Sequence, residues 1–377
     1  MAKYKLGEIC EIVSGSTPKT GIAEYWDGNL KWITPAEIDD ESYIITDSAR
    51  KLTKLGVKKT GLSSFPSGTV ILSSRAPIGK VAIAGCKMYC NQGFKNLICS
   101  DRINNRYLYW FLKGNTAYLN SLGRGATFKE ISKKIVSDIE INVPEISQQL
   151  AAVDALERVS EIIRLRKNQL QKLDELIKAR FVEMFGDCKS MVSMNELCSI
   201  ITDGTHQPPR FQESGIPFIF VSNLVGNVVT YNAEKFISED TYAELYKRTP
   251  IEIGDLLLST VGSYGHPAVV TEDRKFLFQR HIAYLKPRHN MVNSFYLHSA
   301  LLAPDGQRQI EEKVKGIAQK TLNLSEIKKI VVPLPTIEEQ NQFEKFINQV
   351  DKSKVAVQKS LDEAQLLFDS LMQQYFG

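Results

Sequence analysis

Several patterns that mark common classes of protein are missing from this sequence of 377 residues. Its six cysteines, at positions 10, 86, 90, 99, 188 and 198, include no Cys-x-x-Cys pair and have no neighbouring pair of histidines. This spacing favours reduced, packed thiols over a zinc site or a disulfide framework. No apolar run approaches the roughly 18 residues of a membrane span, and the first residues lack the apolar core of a signal peptide. We therefore expect a cytoplasmic protein without a metal.

Motifs for nucleotide binding and methyl transfer are absent as well. The sequence has no Gly-x-x-x-x-Gly-Lys-[Ser/Thr] loop, no glycine-rich fingerprint opening a helix and no Asn/Asp-Pro-Pro-aromatic run. Asp305, Glu311 and Lys313 resemble a nuclease motif, in which two carboxylates hold Mg²⁺ and a lysine orients water. However, this stretch is predicted to be helical, whereas such carboxylates usually project from neighbouring strands. We expect no catalytic residues, and a nuclease or methylase with a degenerate motif stays an alternative.

The positive charge is unevenly distributed along the chain, whose formal net charge is +4. Residues 1–144 hold 20 basic against 13 acidic residues, a net charge of +7, and residues 188–335 hold 16 against 15, a net charge of +1. Residues 145–187 and 336–377 are slightly acidic. An anionic partner is therefore expected at the two longer segments, mainly at the first. For the second, ordinary surface variation explains the charge equally well.

The chain contains an internal repeat, and a repeat decides the architecture before any local motif does. Residues 125–186 align on residues 316–377 without a gap, at a constant offset of 191, and 11 of the 62 pairs are identical. Upstream, residues 68–73 match 254–259 at an offset of 186, Gln92 pairs with Gln279, and Leu6 pairs with Leu197. The drifting offset indicates loops of different length in globular parts, and the constant offset indicates an element that cannot absorb insertions.

That rigid element is predicted to be a pair of helices. Apolar residues recur at alternating three- and four-residue spacing over roughly 40 residues in both copies, which is typical of a coiled-coil seam. Arg166, Arg180 and Lys354 interrupt it. Thr336 and Glu339 form a capping box, and each helix ends at Phe-Gly. The residues predicted at the helix-pair interface are Leu156, Val159, Ile163, Leu170, Leu173, Ile177, Phe343, Ile347, Val350, Val357, Leu361 and Phe368.

The repeat predicts four parts: globular segment 1–144, helix 145–187, globular segment 188–335 and helix 336–377. The globular segments read as mixed α/β with short strands, so the fold class is α/β (α+β) with pseudo-two-fold symmetry. The two seams share a register, and they can pair along their length only if the second helix runs antiparallel to the first. Ordinary amphipathic helices, each packed on its own domain, are the alternative.

Two globular domains, each followed by a long helix and repeated once, resemble the specificity subunit of type I restriction-modification systems. The resemblance covers the full chain, and no single string is diagnostic. Its local marks are Trp32-Ile33-Thr34 and Phe220-Val221-Ser222, the Gly68-Thr69 and Gly254-Asp255 pairs before a strand, the turns at Gly125 and Gly316, and the Pro-x-x-x-x-Gln strings that open the helices at Pro144 and Pro335. The string from Val332 to Gln340 is closest to the family, and residues 143–149 depart from it.

By this resemblance, each globular segment is a target-recognition domain that reads one half of a bipartite sequence in double-stranded DNA. The helices would set the spacer between the halves and dock two methyltransferase subunits. Those subunits, and not this chain, would bind S-adenosylmethionine and methylate adenine. A motor-nuclease subunit would complete a restriction complex.

Such an interface needs phosphate anchors and readers of base edges. In the first domain the candidates are Lys19, Arg75, Lys80, Lys95, Arg124 and Lys129 for phosphate or guanine, and Asn91 and Gln92 for adenine. In the second domain the candidate anchors are Arg210, Arg280, His281 and Lys320, and the candidate readers are Gln207 and Gln279. A coiled-coil adaptor that does not bind DNA is a further alternative, which the near-neutral second segment permits.

Overall fold

Short strands and helices separated by glycine and proline turns make up most of the chain, and two helices are far longer than the rest. A computed structural model describes residues 2–125, 129–316 and 319–377. The strands are β1 Ala2–Lys5, β2 Cys10–Ser14, β3 Trp26–Ile33, β4 Ile44–Ile45, β5 Arg50–Leu52, β6 Val70–Leu72, β7 Val81–Ala84, β8 Tyr89–Cys90, β9 Lys95–Cys99, β10 Glu140–Val143, β11 Met191–Ser193, β12 Cys198–Asp203, β13 Ile216–Ile219, β14 Phe236–Ile237, β15 Leu256–Ser259, β16 Pro267–Val269, β17 Leu277–Phe278, β18 Ile282–Pro287 and β19 Val331–Pro333. The helices are α1 Leu6–Ile9, α2 Lys54–Thr60, α3 Asn105–Gly114, α4 Thr116–Ser121, α5 Lys133–Asp138, α6 Ile146–Phe185, α7 Met194–Leu197, α8 Glu239–Tyr246, α9 Ser294–Leu302, α10 Pro304–Lys313, α11 Leu324–Ile327 and α12 Ile337–Phe376.

The chain divides into two compact units, and unit one consists of Met1–Leu165 and Leu361–Gly377. Its sheets have the strand orders β2-β9-β6-β7-β4, β5-β3-β8 and β1-β10. Most neighbouring strands are antiparallel, and β3–β8 and β4–β7 are parallel. Strands β6 and β7 are buried on both faces, which explains their continuous apolar sequences. Helix α3 packs its aromatic residues Tyr107, Tyr109 and Trp110 into the same core.

Unit two is Arg166–Ser360, and it repeats this plan with one strand fewer. Its sheets have the orders β12-β18-β15-β16, β14-β13-β17 and β11-β19. The fully buried strand β15 lies between β18 and β16, as β6 lies between β9 and β7. The mixed α/β class predicted from the sequence is thus confirmed, and each of the three sheets of unit one has a counterpart in unit two.

A buried glutamine links the first globular segment to the start of α6. Gln149 has no exposed surface, and its Oε1 accepts a hydrogen bond of 2.8 Å from the backbone N–H of Asn104. Its Nε2 donates to the carbonyl oxygens of Pro144 at 2.8 Å and Arg102 at 3.0 Å. The spacing of the Pro-x-x-x-x-Gln string therefore has a physical reason. With four residues between them, the glutamine side-chain amide can donate a hydrogen bond to the carbonyl oxygen of the proline.

Gln340 makes the same three bonds at the start of α12. Its Oε1 accepts from the N–H of Asn293 at 2.8 Å, and its Nε2 donates to the carbonyl oxygens of Pro335 at 3.0 Å and Met291 at 3.2 Å. The capping box predicted just upstream is also present, because the Thr336 N–H donates to the Glu339 carboxylate at 2.9 Å. Both repeats thus use the same buried polar contact at the same joint.

Each unit contains one end of both long helices. In unit one, Ala152 and Leu156 share a core with the last turns of α12, and further along α6 Val159 and Ile163 pack with Ala364. In unit two, the Phe181 and Phe343 rings are 5.5 Å apart, and the Lys354 ammonium lies 2.6 Å from the Asp174 carboxylate. Early residues of α6, such as Val159, contact late residues of α12, such as Ala364, and late residues of α6, such as Phe181, contact early residues of α12, such as Phe343. The helices therefore run antiparallel.

The predicted interface residues of the two helices are all at least half-buried. Buried side chains are Leu156, Val159, Ile163, Phe343, Ile347, Val350 and Val357, and half-buried ones are Leu170, Leu173, Ile177, Leu361 and Phe368. Lys354 occupies one position of the α12 seam in place of an apolar residue, and its charge is paired with Asp174 and Asp351.

One expected pairing of the repeat is wrong. The Leu6 N–H donates to the carbonyl oxygen of Ile139, and the Met194 N–H donates to that of Ile330, both at 2.8 Å. Since these two acceptors are matched by the repeat, Leu6 corresponds to Met194 and not to Leu197. Strands β2 and β12 therefore start at equivalent residues, Cys10 and Cys198, with an offset smaller by three residues than the pairing assumed.

Candidate nucleic-acid interface

A loop with the same closure occurs in both globular segments. Arg124 and Glu130 exchange backbone hydrogen bonds of 3.0 and 2.9 Å, and Lys315 and Thr321 exchange bonds of 3.0 and 2.8 Å. The positions match at the repeat offset of 191, so the two loops are equivalent. Each begins with a basic residue and a glycine. Residues 126–128 and 317–318 lie within the loops and outside the described residues.

Glu130 gathers basic side chains at the base of the first loop. Its carboxylate lies 3.6 Å from Arg75 and 3.3 Å from the Lys95 ammonium. Lys95 is only 7% exposed and also donates to the Ser74 hydroxyl at 3.2 Å. A buried ammonium is stable only when its charge is paired, and Glu130 supplies the partner. With so little exposed surface, Lys95 supports the loop in this structure, and its burial speaks against the predicted phosphate contact.

The other basic candidates of the first domain lie closer to solvent. Lys19, Arg124 and Lys129 are exposed, and Lys80 is half-buried, with its ammonium 3.2 Å from the carbonyl oxygen of Pro35. The loops that hold them are joined by backbone bonds. The Ser74 N–H donates to the carbonyl of Gly93 at 2.7 Å, the Ile131 N–H to that of Ser74 at 3.0 Å, and the Ser16 N–H to that of Cys90 at 3.1 Å. The structure thus brings these loops together on one part of the first domain.

The two predicted adenine readers of the first domain differ in their surroundings. Gln92 is exposed, and its Oε1 accepts a hydrogen bond from the Thr17 hydroxyl. Asn91 is half-buried, and its Oδ1 accepts the N–H of Gly93 at 2.9 Å, which shapes the turn. Gln92 is therefore better placed for base contacts than Asn91.

The repeat partner of Gln279 is Asn91, and the expected pairing with Gln92 is wrong by one residue. The Asn91 N–H donates to the carbonyl of Ile33 at 3.1 Å, and the Gln279 N–H donates to that of Ile219 at 3.3 Å. These acceptors hold matching places in the parallel strand pairs β3–β8 and β13–β17. Asn91 and Gln279 hold the same place in the same turn, which accounts for the amide side chain at both positions.

Arg280 and His281 line a cleft of about 280 Å³ in the second domain, together with Gln319 and Thr321 of the equivalent loop. Arg280 is exposed and His281 is half-buried. Burial, followed by the Arg280 charge, lowers the pKa of His281. His281 is therefore expected to be neutral at neutral pH and to act as a hydrogen-bonding group, while Arg280 is the cation.

A second cleft, of about 420 Å³, lies between residues 204–210 and α8. Gln207 and Arg210 line it and are exposed. Asp203 holds the neighbouring elements together, because its carboxylate lies 2.6 Å from Arg248 and 2.8 Å from His206. Both clefts have polar and basic walls, which suits a surface that contacts phosphates and base edges.

Lys320 is exposed but already has an anionic neighbour. Its ammonium lies 2.8 Å from the Glu311 carboxylate and 3.2 Å from the Tyr264 hydroxyl, which itself donates to Glu311. The bond from Lys320 lowers the pKa of Glu311. Asp305 is paired separately with Arg308. The two carboxylates of the nuclease-like motif thus have different partners, and residues 2–125, 129–316 and 319–377 contain no cluster of three His, Cys, Asp or Glu suited to a metal.

Known proteins share this duplicated organisation. The family described as the type I restriction modification DNA specificity domain matches residues 1–175 and, a second time, residues 190–364. The chain belongs to this family. The MjaIX type I specificity subunit of Methanocaldococcus jannaschii is 30% identical over 96% of this chain and 90% of its own length. The EcoBI specificity subunit of Escherichia coli is 27% identical over 72% of this chain and 64% of its own length.

Solved structures show the same fold. A type I restriction-modification S subunit from M. genitalium is 15% identical, with all of this chain and 96% of that one aligned and a TM-score of 0.57. A chain from a structural study of complex assembly and conformational transition of the type I R-M system is 20% identical, with all of this chain and 97% of that one aligned and a TM-score of 0.62.

The family assignment confirms the function predicted from the sequence. As a type I specificity subunit, the chain supplies DNA sequence specificity to a complex with other subunits, and it is a non-catalytic member of that complex. Within the part of the chain that the structure describes, none of the helices has the length and hydropathy to cross a membrane.

The sequence did not indicate that acidic residues on the surface of this specificity subunit pair with its basic candidates. Glu130 and Glu311 neutralise basic candidates, but neither is matched in the other repeat: Glu130 aligns with Thr321, and α10 has no counterpart motif in the first segment. The contact between Asp203 and Arg248 was also missed, since it joins residues 45 positions apart in the chain. Only the three-residue separation of Asp203 and His206 was a usable signal.

Proposed function

We propose that the two globular segments of this specificity subunit read two separate halves of one DNA sequence. The observation that supports this is the duplicated loop, closed at Arg124–Glu130 and at Lys315–Thr321 by the same backbone bonds. The backbone closure of the loop is the same in both units, whereas the side chains around it differ. Lys95 and Glu130 lie beside the loop in unit one, and Arg280 and His281 lie beside it in unit two. Equivalent surfaces with different side chains select different bases.

Exposure divides the candidate residues between two roles. Phosphate contacts fall to the exposed basic side chains Lys19, Arg124, Lys129, Arg210, Arg280 and Lys320, with Arg75 and Lys80 beside them. Base contacts fall to Gln92 and Gln207, because both are exposed and neither is fixed by the strand register that holds Asn91 and Gln279. Phosphate contacts position the protein, and base contacts carry the specificity.

The long helices are proposed to set the spacing between the two half-sequences and to dock two methyltransferase subunits. Apolar residues on their outer faces support the docking: Ile162 is 43%, Leu165 50% and Leu366 71% exposed in unit one, and Val355 is 71% exposed in unit two. Exposed apolar side chains that cluster on a surface mark contacts with other proteins. S-adenosylmethionine would be bound by those subunits, and motor-nuclease subunits would join the same complex.

An exchange of segments tests the proposal of two readers. Residues 188–335 are replaced by the matching segment of a relative with a different target, and the chimaera is expressed together with its methyltransferase subunits. Modified-base sequencing of the host DNA is expected to show one changed half and one unchanged half. The reciprocal exchange of residues 1–144 is the control, and it should change the other half. A chimaera that alters both halves at once would refute independent reading.

Lengthening both helices tests the spacing. One heptad inserted after Leu170 and one after Leu361 keeps the seam in register. It adds about 10 Å to each helix, or about three base pairs at 3.4 Å each. The half-sequences should stay the same while the undefined spacer grows, with reduced activity because one half-site rotates around the duplex. Undiminished methylation at the original spacing would show that the helices do not set this distance.

A further inference from the structure

Two cysteines of unit one lie directly opposite each other on neighbouring strands. In the antiparallel pair β2–β9, Cys10 is the partner of Cys99. The Ser100 N–H donates to the carbonyl of Ile9 at 3.0 Å, which places the two cysteines at a non-hydrogen-bonded position of the ladder. Cα atoms at such positions are about 4.5 Å apart, and their side chains are closer than those at the hydrogen-bonded positions of the ladder.

We propose that Cys10 and Cys99 are a redox-active dithiol, which a low-molecular-weight disulfide such as oxidised glutathione converts to a disulfide bond. The expected Cα separation falls within the roughly 4.4–6.8 Å range of disulfides, near its short end. No backbone movement is needed for the two sulfurs to meet. The expected separation is shorter than the commonest value of about 5.5–6 Å, and disulfides that depart from the preferred geometry are the ones that thiols reduce more readily.

The two sulfurs have different roles because their exposure differs. Cys99 is half-buried, whereas Cys10 is 8% exposed, so the oxidant reaches Cys99 first. The Cys99 thiolate attacks one sulfur of the small disulfide, forms a mixed disulfide and releases one small thiolate. Cys10 then loses its proton, attacks the Cys99 sulfur and releases the second small thiol. The net reaction oxidises two protein thiols and reduces one small disulfide to two thiols.

The second step is expected to be the slower one. The hydrogen bond with Cys99, together with burial, raises the pKa of Cys10. Its thiol therefore deprotonates reluctantly, and only a thiolate attacks a disulfide. The bond with Cys99 is lost once that sulfur is in the mixed disulfide, which removes the largest cause of the raised pKa.

Unit two provides an internal control. Cys198 starts β12 as Cys10 starts β2, but its strand partner is Pro287. Burial raises the pKa of Cys198 to about 12. The same position therefore holds a thiol in both units, and only unit one places a second thiol across from it.

The bond would act on the strand that leads into the candidate DNA loops. Strand β2 is the edge strand of its sheet, next to β9, and it continues into the loop that carries Thr17 and Lys19. A disulfide to β9 would fix this edge covalently. The reaction of the two thiols is independent of DNA binding, because both cysteines lie within unit one.

Peptide mapping of the full chain tests the proposal. Reduced protein is incubated with oxidised glutathione, remaining thiols are alkylated, and the protein is digested with trypsin. Residues 6–19 and 96–102 form separate tryptic peptides that each hold one of the two cysteines, and residues 190–210 hold Cys198. We expect the first two peptides to be joined, lighter by two hydrogens than their sum, and to separate again when excess reduced glutathione is added before alkylation.

Two variants make the result decisive. In Cys99→Ser the joined peptide should disappear and Cys10 should be recovered alkylated, whereas Cys198→Ala should leave the joined peptide unchanged. Alkylated Cys10 and Cys99 after prolonged oxidation of the folded wild type would overturn the proposal. So would a mixed disulfide that persists on Cys99, or a cross-link from Cys10 to any other cysteine.

Discussion

The two units differ in one part of the junction between the globular segment and the long helices, next to Tyr109 and Trp110 of α3. In unit one this place is filled by aromatic side chains. The ring centres of Tyr43 and Tyr109 are 4.8 Å apart, those of Tyr109 and Trp110 are 5.0 Å apart, and those of Trp110 and Phe368 are 5.6 Å apart. Trp110 is only 4% exposed. The start of α6 and the end of α12 share this core.

Unit two has smaller side chains at the matching positions and leaves a cleft of about 340 Å³ there. The capping residues Asn104 and Asn293 align helices α3 and α9, so His298 and Ser299 stand where Tyr109 and Trp110 stand. Both line the cleft, as do Asp174 and Lys354 of the long helices. The repeat thus preserved the backbone positions and lost the aromatic volume.

One polar contact survived this change. The Tyr109 hydroxyl donates to the carbonyl of Ser42 at 3.1 Å, and the His298 Nε2 lies 3.1 Å from the carbonyl of Asn227. Two different side chains therefore tie the same helix to the equivalent loop. A buried carbonyl that loses its donor costs free energy wherever it lies, whereas lost volume is tolerated if the surroundings contract or admit water. Polar joints are consequently the more constrained part of the repeat.

The largest expected effect comes from making unit one resemble unit two. Trp110→Ser introduces the residue of position 299 and removes a buried indole, which should cost about 3–5 kcal/mol of unfolding free energy. Calorimetry is expected to show a transition of unit one at lower temperature. Ser299→Ala is the matched control and should change stability by less than about 1 kcal/mol. Equal effects of the two substitutions would mean that the aromatic core of unit one does not determine its stability.

The glutamine joints should respond equally in the two units. Gln149→Leu and Gln340→Leu each remove the acceptor for a buried N–H, that of Asn104 or Asn293, and the donor for two carbonyl oxygens. Unsatisfied buried groups of this kind cost about 2–3 kcal/mol in total. Urea unfolding of each variant measures the loss. A marked loss in only one of them would contradict the equivalence of the joints.

Removing an acidic neighbour should have different effects on an exposed basic residue and on a buried one. Glu311→Gln leaves Lys320 exposed without its anion, and DNA binding should strengthen by about two- to five-fold at low salt, with the gain fading as salt rises. Glu130→Gln leaves the buried Lys95 without its counter-charge and should instead lower the melting temperature. Fluorescence anisotropy with a DNA duplex and thermal unfolding measure the two effects. Weaker DNA binding by Glu311→Gln would count against a phosphate contact by Lys320.

The smallest effect concerns pH. Burial lowers the pKa of His298, and hydrogen bonds with the backbone of Asn227 and Pro267 oppose this shift in part, with smaller contributions from the charges of Asp351 and Lys354. Below about pH 6.5 the unfolded chain binds a proton at this histidine that the folded chain does not bind. The stability present above that pH is therefore lost as the pH falls toward the folded-state pKa. His298→Tyr, which installs the residue of unit one, should reduce the fall in melting temperature between about pH 7.5 and 5.5, and an unchanged slope would exclude His298 as its source.

Periodicity and repetition made part of the structure predictable from the sequence. Helices α6 and α12, the capping box at Thr336 and the Pro-x-x-x-x-Gln strings are encoded by residues close together in the chain. The bonds that join Gln149 and Gln340 to residues 45 to 49 positions upstream were not predicted. The burial of Lys95 was not predicted, because β9 places it beside Glu130, a residue on a distant loop. The one-residue error at Gln92 arose because loop lengths differ between the copies, and only strand register decides between two adjacent amides.

The make-up of unit one has a consequence for how the protein is produced. Phe368 packs on Trp110, and Phe376 packs on Tyr107 at 4.9 Å, so the first globular segment is completed by residues near the end of the chain. Unit two, Arg166–Ser360, is synthesised in full before those residues leave the ribosome. Although unit one begins first, all residues of unit two are therefore available for folding before all residues of unit one are. We therefore expect the aromatic face of α3 to stay uncovered until the end of α12 is made, which exposes apolar surface that is prone to aggregation during synthesis.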